Sequence, residues 1–173
     1  MKKILFVILA IFAIASCKPK VDFNKLMQDD YAAVVAEFGD SVKFYEVETV
    51  LTKPINLLDD NIAVSASSTI IQAGNKIKQI DRIFKNSRIK EENVTYNDGW
   101  WAGDFMVELD SVNLNLKDAI QKLHETNTVL PETTYMTFRK PAAPPFRTQY
   151  IFGSEKTFFI SVDAGTGEVN VVE

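Results

Sequence analysis

Apolar positions change their period several times along this chain, and each change marks an element. Behind Asp22, the residues Phe23, Leu26, Met27, Tyr31, Val34 and Phe38 recur three or four apart, with Gly39 just beyond. An N-cap acid, one helical stripe and a glycine stop predict a helix over 23–38. From Val42 to Leu51 the residues become β-branched and aromatic, and the run ends ahead of Pro54, which has no amide hydrogen for a ladder. A strand is expected there. Over 55–75 two patterns compete. Ile62, Val64, Ala66, Ser68 and Ile70 alternate as in a strand, whereas Ile70, Ala73, Ile77, Ile80 and Phe84 make a helical stripe interrupted by Gly74. The reading taken is a strand giving way to a helix over about 68–86, then a polar surface connection from Asn86 to Asn93.

Asn97-Asp98-Gly99 is a turn signal between Val94-Thr95-Tyr96 and the segment Trp100 to Leu109, which predicts a hairpin. Asn115 with Asp118 resembles a capping box carrying a shorter acid, and Leu116, Ile120 and Leu123 supply the buried stripe of a helix over 116–125. Pro131 closes the next connection, and 133–139 reads as a strand. The run from Pro141 to Pro145 is a stiff extended link with few donors. Strands are expected at 148–152 and 157–162, joined by residues 153–156. Asp163-Ala164-Gly165-Thr166-Gly167 then turns into a last strand, Glu168 to Val172. Residues 27–54 slide onto 114–141 helix to helix and strand to strand, ending in Lys53-Pro54 and Lys140-Pro141. Few residues are identical in that overlay, so duplication stays open.

The start of the chain has a different logic. Lys2 and Lys3 precede twelve apolar residues, Ile4 to Ala15, and then Ser16 and Cys17, the single cysteine. Twelve residues reach about 18 Å as a helix against roughly 30 Å of hydrocarbon, too short for a permanent span. The string Ile14-Ala15-Ser16-Cys17 resembles a bacterial lipobox. That resemblance implies a signal peptide over 1–16, a diacylglycerol on the Cys17 thiol, an acylated new amino terminus, and residues 17–22 as a short tether. The partner it implies is a lipid bilayer, and the location a bacterial cell envelope, at the inner or the outer membrane.

Without residues 1–16 the chain keeps 157 residues, and its formal charge moves from −4 to −6 because two lysines leave. An acidic domain with no long basic stretch argues against nucleic acid. With Cys17 taken by lipid no internal disulfide can form, so stability must come from packing.

The end of the chain carries a second likeness. Helix 116–125, Tyr150-Ile151-Phe152, and Phe159-Ile160-Ser161-Val162-Asp163-Ala164-Gly165-Thr166-Gly167-Glu168-Val169 resemble a PepSY-type module over about 114–173. Exported bacterial lipoproteins carry such modules singly or in tandem, and some are similar in fold to β-lactamase inhibitor protein. The resemblance implies regulation of a peptidase or another exported protein, and no active residue is carried over from it. The same residues have a structural reading: Gly165 and Gly167 supply turn angles, Asp163 and Thr166 bind nearby amides, and Phe158, Ile160 and Val162 share one face.

Chemistry is thinly supplied. His124 is the single histidine and sits near a helix C-terminus, where the dipole favours an imidazolium. No Gly-rich phosphate loop precedes a helix, the acids lack the dense alternation of a calcium loop, and no cofactor is implied. Asp29-Asp30, Asp59-Asp60 and Glu91-Glu92 are sequence neighbours pointing apart, read as solvated surface. Trp100-Trp101 is the pair to watch. In a strand one ring enters the core while the other, near Tyr96, lies on exposed sheet as an anchor or seals the sheet edge.

The expectation is therefore an α+β fold, helices packed on one face of an antiparallel sheet, with a N-terminal half over 23–113 and the PepSY-like half after it. Two tandem helix-plus-sheet units are the form that duplication would give. The expected role is a non-enzymatic module that binds or inhibits an exported protein or peptide, with Trp100, Trp101 and Tyr96 as contacts. The competing role is an envelope enzyme or small-ligand carrier with a pocket between helix and sheet.

Overall fold

In the computed structural model the side chain of Asp22 accepts a hydrogen bond from the Lys25 amide at 2.8 Å, and with that cap α1 begins, Phe23–Phe38. The structure describes residues 22–58, 62–101, 105–126, 128–144, 146–153 and 159–172. The signal segment, Cys17 and the tether up to residue 21, the pair Asp59-Asp60 and Phe158 lie outside them. α1 buries Phe23, Met27, Asp30 and Val34, one stripe, and Gly39 ends it at φ +79°.

Four strands follow: β1 Val42–Leu51, β2 Val64–Ala73, β3 Lys76–Lys85 and β4 Arg88–Asp98. The helix expected over 68–86 does not form. Gly74, at φ +59°, and Asn75 make a tight turn instead, and β2 and β3 pair antiparallel from Ala73–Lys76 to Ala66–Ile83. Period 2 wins because both strands are paired on each side, so alternating residues can be buried. The expected connection over 86–93 shrinks to a turn at Asn86 and Ser87, both at positive φ, and the rest is β4.

The hairpin expected around Asn97-Asp98-Gly99 is absent as well. β4 runs on through Asp98, the Gly99 amide bonds to the Asn75 carbonyl at 2.7 Å, and Trp100 and Trp101 belong to no strand. Further on, Phe105 bridges to Lys140 and Val107 to Phe44. Those bridges put this segment between the ends of β1 and β5, with Val107 in the core.

α2, Leu116–Glu125, starts where Asn115 accepts a hydrogen bond from the Asp118 amide at 2.9 Å, and it buries Leu116, Ala119, Ile120 and Leu123. Then come β5 Tyr135–Arg139, β6 Gln149–Phe152, β7 Phe159–Asp163 and β8 Val169–Val172. The described part of the 141–145 link is not strand, and the Phe146 amide turns back to the Ala143 carbonyl. At the last turn Asp163 Oδ1 accepts from the Gly165 and Thr166 amides at 2.9 and 2.8 Å. Gly167 takes positive φ there, but Gly165 does not; its role is space, since a Cβ would lie 3.1 Å from the Ser111 carbonyl oxygen.

All eight strands form one antiparallel sheet in the order β4-β3-β2-β1-β5-β6-β7-β8. This overturns the expected class. The molecule is mostly a single continuous sheet with two helices among the described residues, and not an α+β arrangement of tandem helix-plus-sheet units. The cause is the central pairing, in which Glu48 faces Thr137, Thr49 faces Met136 and Val50 faces Tyr135. The 87-residue slide found in the sequence maps that register onto itself, yet the shared ladder leaves no edge at which two units could part. Alternate strand residues join both helices in one core: Val47, Leu51, Ile71, Phe138, Tyr150, Phe152 and Val162 meet Met27, Val34, Ile120 and Leu123.

Candidate functional site

The residues on the other parity of the strands form the outer surface, and register arranges them in rows across the sheet. One row runs Asn93, Asp81, Ser68, Glu48, Thr137; the next runs Glu91, Ile83, Ala66, Val50, Tyr135. Over the first half of β2 the outward side chains are small, Ala66 and Ser68, while β1 and β3 carry longer ones on either side. The result is an open trough of about 620 Å³ along β2. Its apolar walls are Val50 and Ile83, 37% and 48% exposed. Its acids are Glu48, Asp81, Glu91 and Glu92, the last paired with Arg82.

The trough is held in shape by its own polar groups. Gln79 donates to Ser68 Oγ at 3.2 Å and to Asp81 Oδ1 at 2.9 Å, which fixes the Asp81 carboxylate beside Ser68. At the far wall Tyr135 has its pKa pushed up to about 12, first by burial and then by its hydrogen bond to Glu48. Glu91 pairs with Lys90 at 2.8 Å on the exposed rim. Other outward positions are buried: Ile70 and Gln72 further along β2, and Thr137, Ile151 and Ser161 in the C-terminal half.

Beneath the N-terminal half of the sheet lies a charged interior. Arg82 donates two hydrogen bonds to Asp30, at 2.6 and 2.7 Å, with both side chains at most 7% exposed, and its Nε donates to Glu92 at 2.6 Å. Burial pulls the Arg82 pKa down, but the bonds and charges of Asp30 and Glu92 outweigh it and the net shift is upward. The expectation that Asp29-Asp30 is solvated holds for Asp29, which pairs with Lys25 on the surface, and fails for Asp30. The signal was present: Asp30 lies three residues beyond Met27 and four before Val34, on the buried stripe.

The three aromatic residues singled out by sequence occupy different settings. Trp100 is 70% exposed. Trp101 is half-buried, its amide donating to Gln72 Oε1 at 3.2 Å. Tyr96 stands on the α1 side of β4, its ring 6.3 Å from Phe38, its hydroxyl donating to Glu37, and Lys78 Nζ 5.3 Å from its centroid. Among the described residues no ring contact joins the three. The opposite-faces argument for Trp100 and Trp101 lapses because neither is in a strand. His124 is in the last turn of α2, as expected. A second hollow, about 140 Å³, lies between Phe23, Val64, Phe84 and Leu116.

Sequence reasoning missed the trough because β3 was read as helix. Its trace was apolar residues on both parities of one segment, Ile77 and Ile83 against Ile80 and Phe84, which puts apolar side chains on the open face as well as in the core.

No protein-family model matches the chain, and no curated protein matches it either. One solved structure, that of a candidate lipoprotein from Clostridium difficile 630, is similar over 91% of this chain and 95% of that one, with TM-score 0.53 and 14% identity. At that identity the likeness establishes the fold alone. No described helix is long and apolar enough to cross a membrane.

Proposed function

We propose that this chain is a cell-envelope lipoprotein, anchored through acylated Cys17, whose exported domain binds an exported protein or peptide without catalysing a reaction on it. The observation that carries the reading is the trough along β2. It is solvent-facing, partly apolar and preformed, and its walls are packed strand positions and not loops, the setting that suits recognition. The lipobox-like start and the fold shared with a candidate lipoprotein support the anchor. The PepSY-like likeness of residues 114–173 supports a regulatory partner such as a peptidase. Tethering keeps the domain at a bilayer, where even a modest partner affinity gains from local concentration.

Two measurements test it. Metabolic labelling with a fatty-acid analogue should mark the wild-type chain and leave Cys17→Ala unlabelled; label on the variant removes the anchor from Cys17. A photocrosslinking residue at Ser68 should give a discrete adduct in intact cells, while the same residue at Gln121 on α2 should not. Equal adducts at both positions, or none at Ser68, defeat the trough as the binding surface.

A further inference from the structure

We infer that the occupant of the trough is an extended peptide segment carrying an arginine or lysine and, two residues away, an aliphatic side chain. This rests on the binding role proposed above and specifies its partner.

Two adjacent steps along β2 differ in chemistry. Ser68 faces Glu48 on one neighbouring strand and Asp81 on the other; Ala66 faces Val50 and Ile83 in the same way. Neighbouring strands lie about 4.8 Å apart, so a side chain set down over Ser68 sits about 5 Å from the line of each acid. It is flanked by two carboxylates with no lysine or arginine in its own row. A cation fits that step and an acid is repelled from it. A side chain over Ala66 meets a methyl floor and two exposed aliphatic walls, and there an apolar group is favoured.

The two steps are two residues apart on one strand, about 6.7 Å, which is also the spacing of same-side residues in an extended peptide. A peptide lying along β2 therefore delivers alternate side chains to both steps at once. A helix brings together residues three or four apart in sequence, at about 4.5–6 Å along its axis, so the two-residue sequence spacing is what marks an extended occupant. The nearest cations temper but do not cancel the field: Arg82, which also lines the trough, is held by Asp30 and Glu92. Lys90 is paired with Glu91 at the rim, and Arg139 stands opposite Glu46 one row beyond Glu48. The domain as a whole is acidic, which adds long-range attraction for a basic segment.

The test uses the full chain, purified as the cell makes it and held in nanodiscs. The probe is a labelled peptide, Ser-Thr-Arg-Thr-Leu-Thr-Ser, read by fluorescence anisotropy. Beside it run a peptide with Glu for Arg and one with Arg and Leu adjacent. The Arg peptide should bind at least about tenfold more tightly than the Glu peptide, with the adjacent-residue peptide in between. Glu48→Gln and Asp81→Asn should each weaken the Arg peptide by about threefold, and 0.5 M salt should do the same. Ser68→Tyr, an outward change that fills the trough, should remove binding. Equal affinity for the Arg and Glu peptides, or no effect of either acid variant, overturns the assignment of a cationic partner. If Ser68→Tyr still blocks a peptide whose charge does not matter, the trough survives as a binding surface and the charge preference alone fails. If no peptide binds and Ser68 yields no adduct in cells, the binding role falls with it.

Discussion

The two halves of the sheet solve the same packing problem with opposite materials. Under β5 to β7 the interior is aromatic and aliphatic: Phe138 lies 4.8 Å from Tyr150, with Phe152, Ile160 and Val162 beside them and Leu123 and Ile120 above. Under β2 to β4 a buried ion pair, Asp30 with Arg82, takes the place those rings hold on the other side. The hydroxyls of Thr49 and Ser67 are buried nearby with no hydrogen-bond partner among the described residues. An apolar interior tolerates shape changes poorly but carries no desolvation cost. An ion pair adds directionality, and it binds α1 to β3 at the expense of removing two charges from water. The outer faces differ too, because the charged half is the one with the open trough. An Arg82 guanidinium locked by Asp30 and Glu92 holds β3 and β4 in fixed register, and β3 carries both Asp81 and Ile83 of the trough wall.

That contrast predicts two equally large losses with different remedies, the first at the ion pair. Arg82→Ala leaves Asp30 a buried, unpaired carboxylate and should lower stability by about 3–5 kcal/mol in urea denaturation. The double change Asp30→Leu with Arg82→Met should recover most of this loss, since well-packed apolar residues can replace a buried pair. A double variant as weak as Arg82→Ala would show that the interior needs its charges. In the other half Phe138→Ala should cost about 3–5 kcal/mol by leaving a cavity. A value under about 1 kcal/mol there would dissolve the contrast between the halves.

Where the halves meet, one side chain does much of the joining. Asn24 of α1 donates to the Tyr150 hydroxyl at 2.8 Å and accepts from the Leu116 amide at 2.9 Å, while Tyr150 donates to the Leu114 carbonyl at 2.8 Å. Asn24→Ala should cost about 2 kcal/mol, because the Tyr150 phenol oxygen loses its donor while a helix-start amide loses its acceptor. Loss of protection in both helices by hydrogen exchange would place the effect at this joint; loss in α1 alone would not. Smaller still, Asn115→Ala removes the cap of α2 and should cost about 1 kcal/mol.

Much of this architecture was legible in the sequence wherever a single period ruled. Asp22 and Asn115 announced both helices, and the residues from Val42 to Leu51 announced the central strand. The sequence failed where a strand carries apolar residues on both parities. Ile70, Ala73, Ile77, Ile80 and Phe84 satisfy a helical stripe, and only the turn at Gly74 and Asn75 decides against it. That one misreading hid β3, and with it the partner of Asp30 and one wall of the trough. Tandem units failed for another reason: whether β1 and β5 share a ladder is a long-range fact that no local pattern states. The aromatic pair drew notice as an anchor by composition, yet the surface with a preformed shape is built from Ala66, Ser68 and their modest neighbours.

The most direct test of the trough is backbone chemical-shift mapping of the full chain in nanodiscs, titrated with the Arg-containing peptide. The account predicts shifts that cluster on Glu48, Val50, Ala66, Ser68, Asp81 and Ile83 and spare α2. Shifts centred on Trp100 or on the Phe105–Phe146 ring pair, with the β2 residues unmoved, would contradict it.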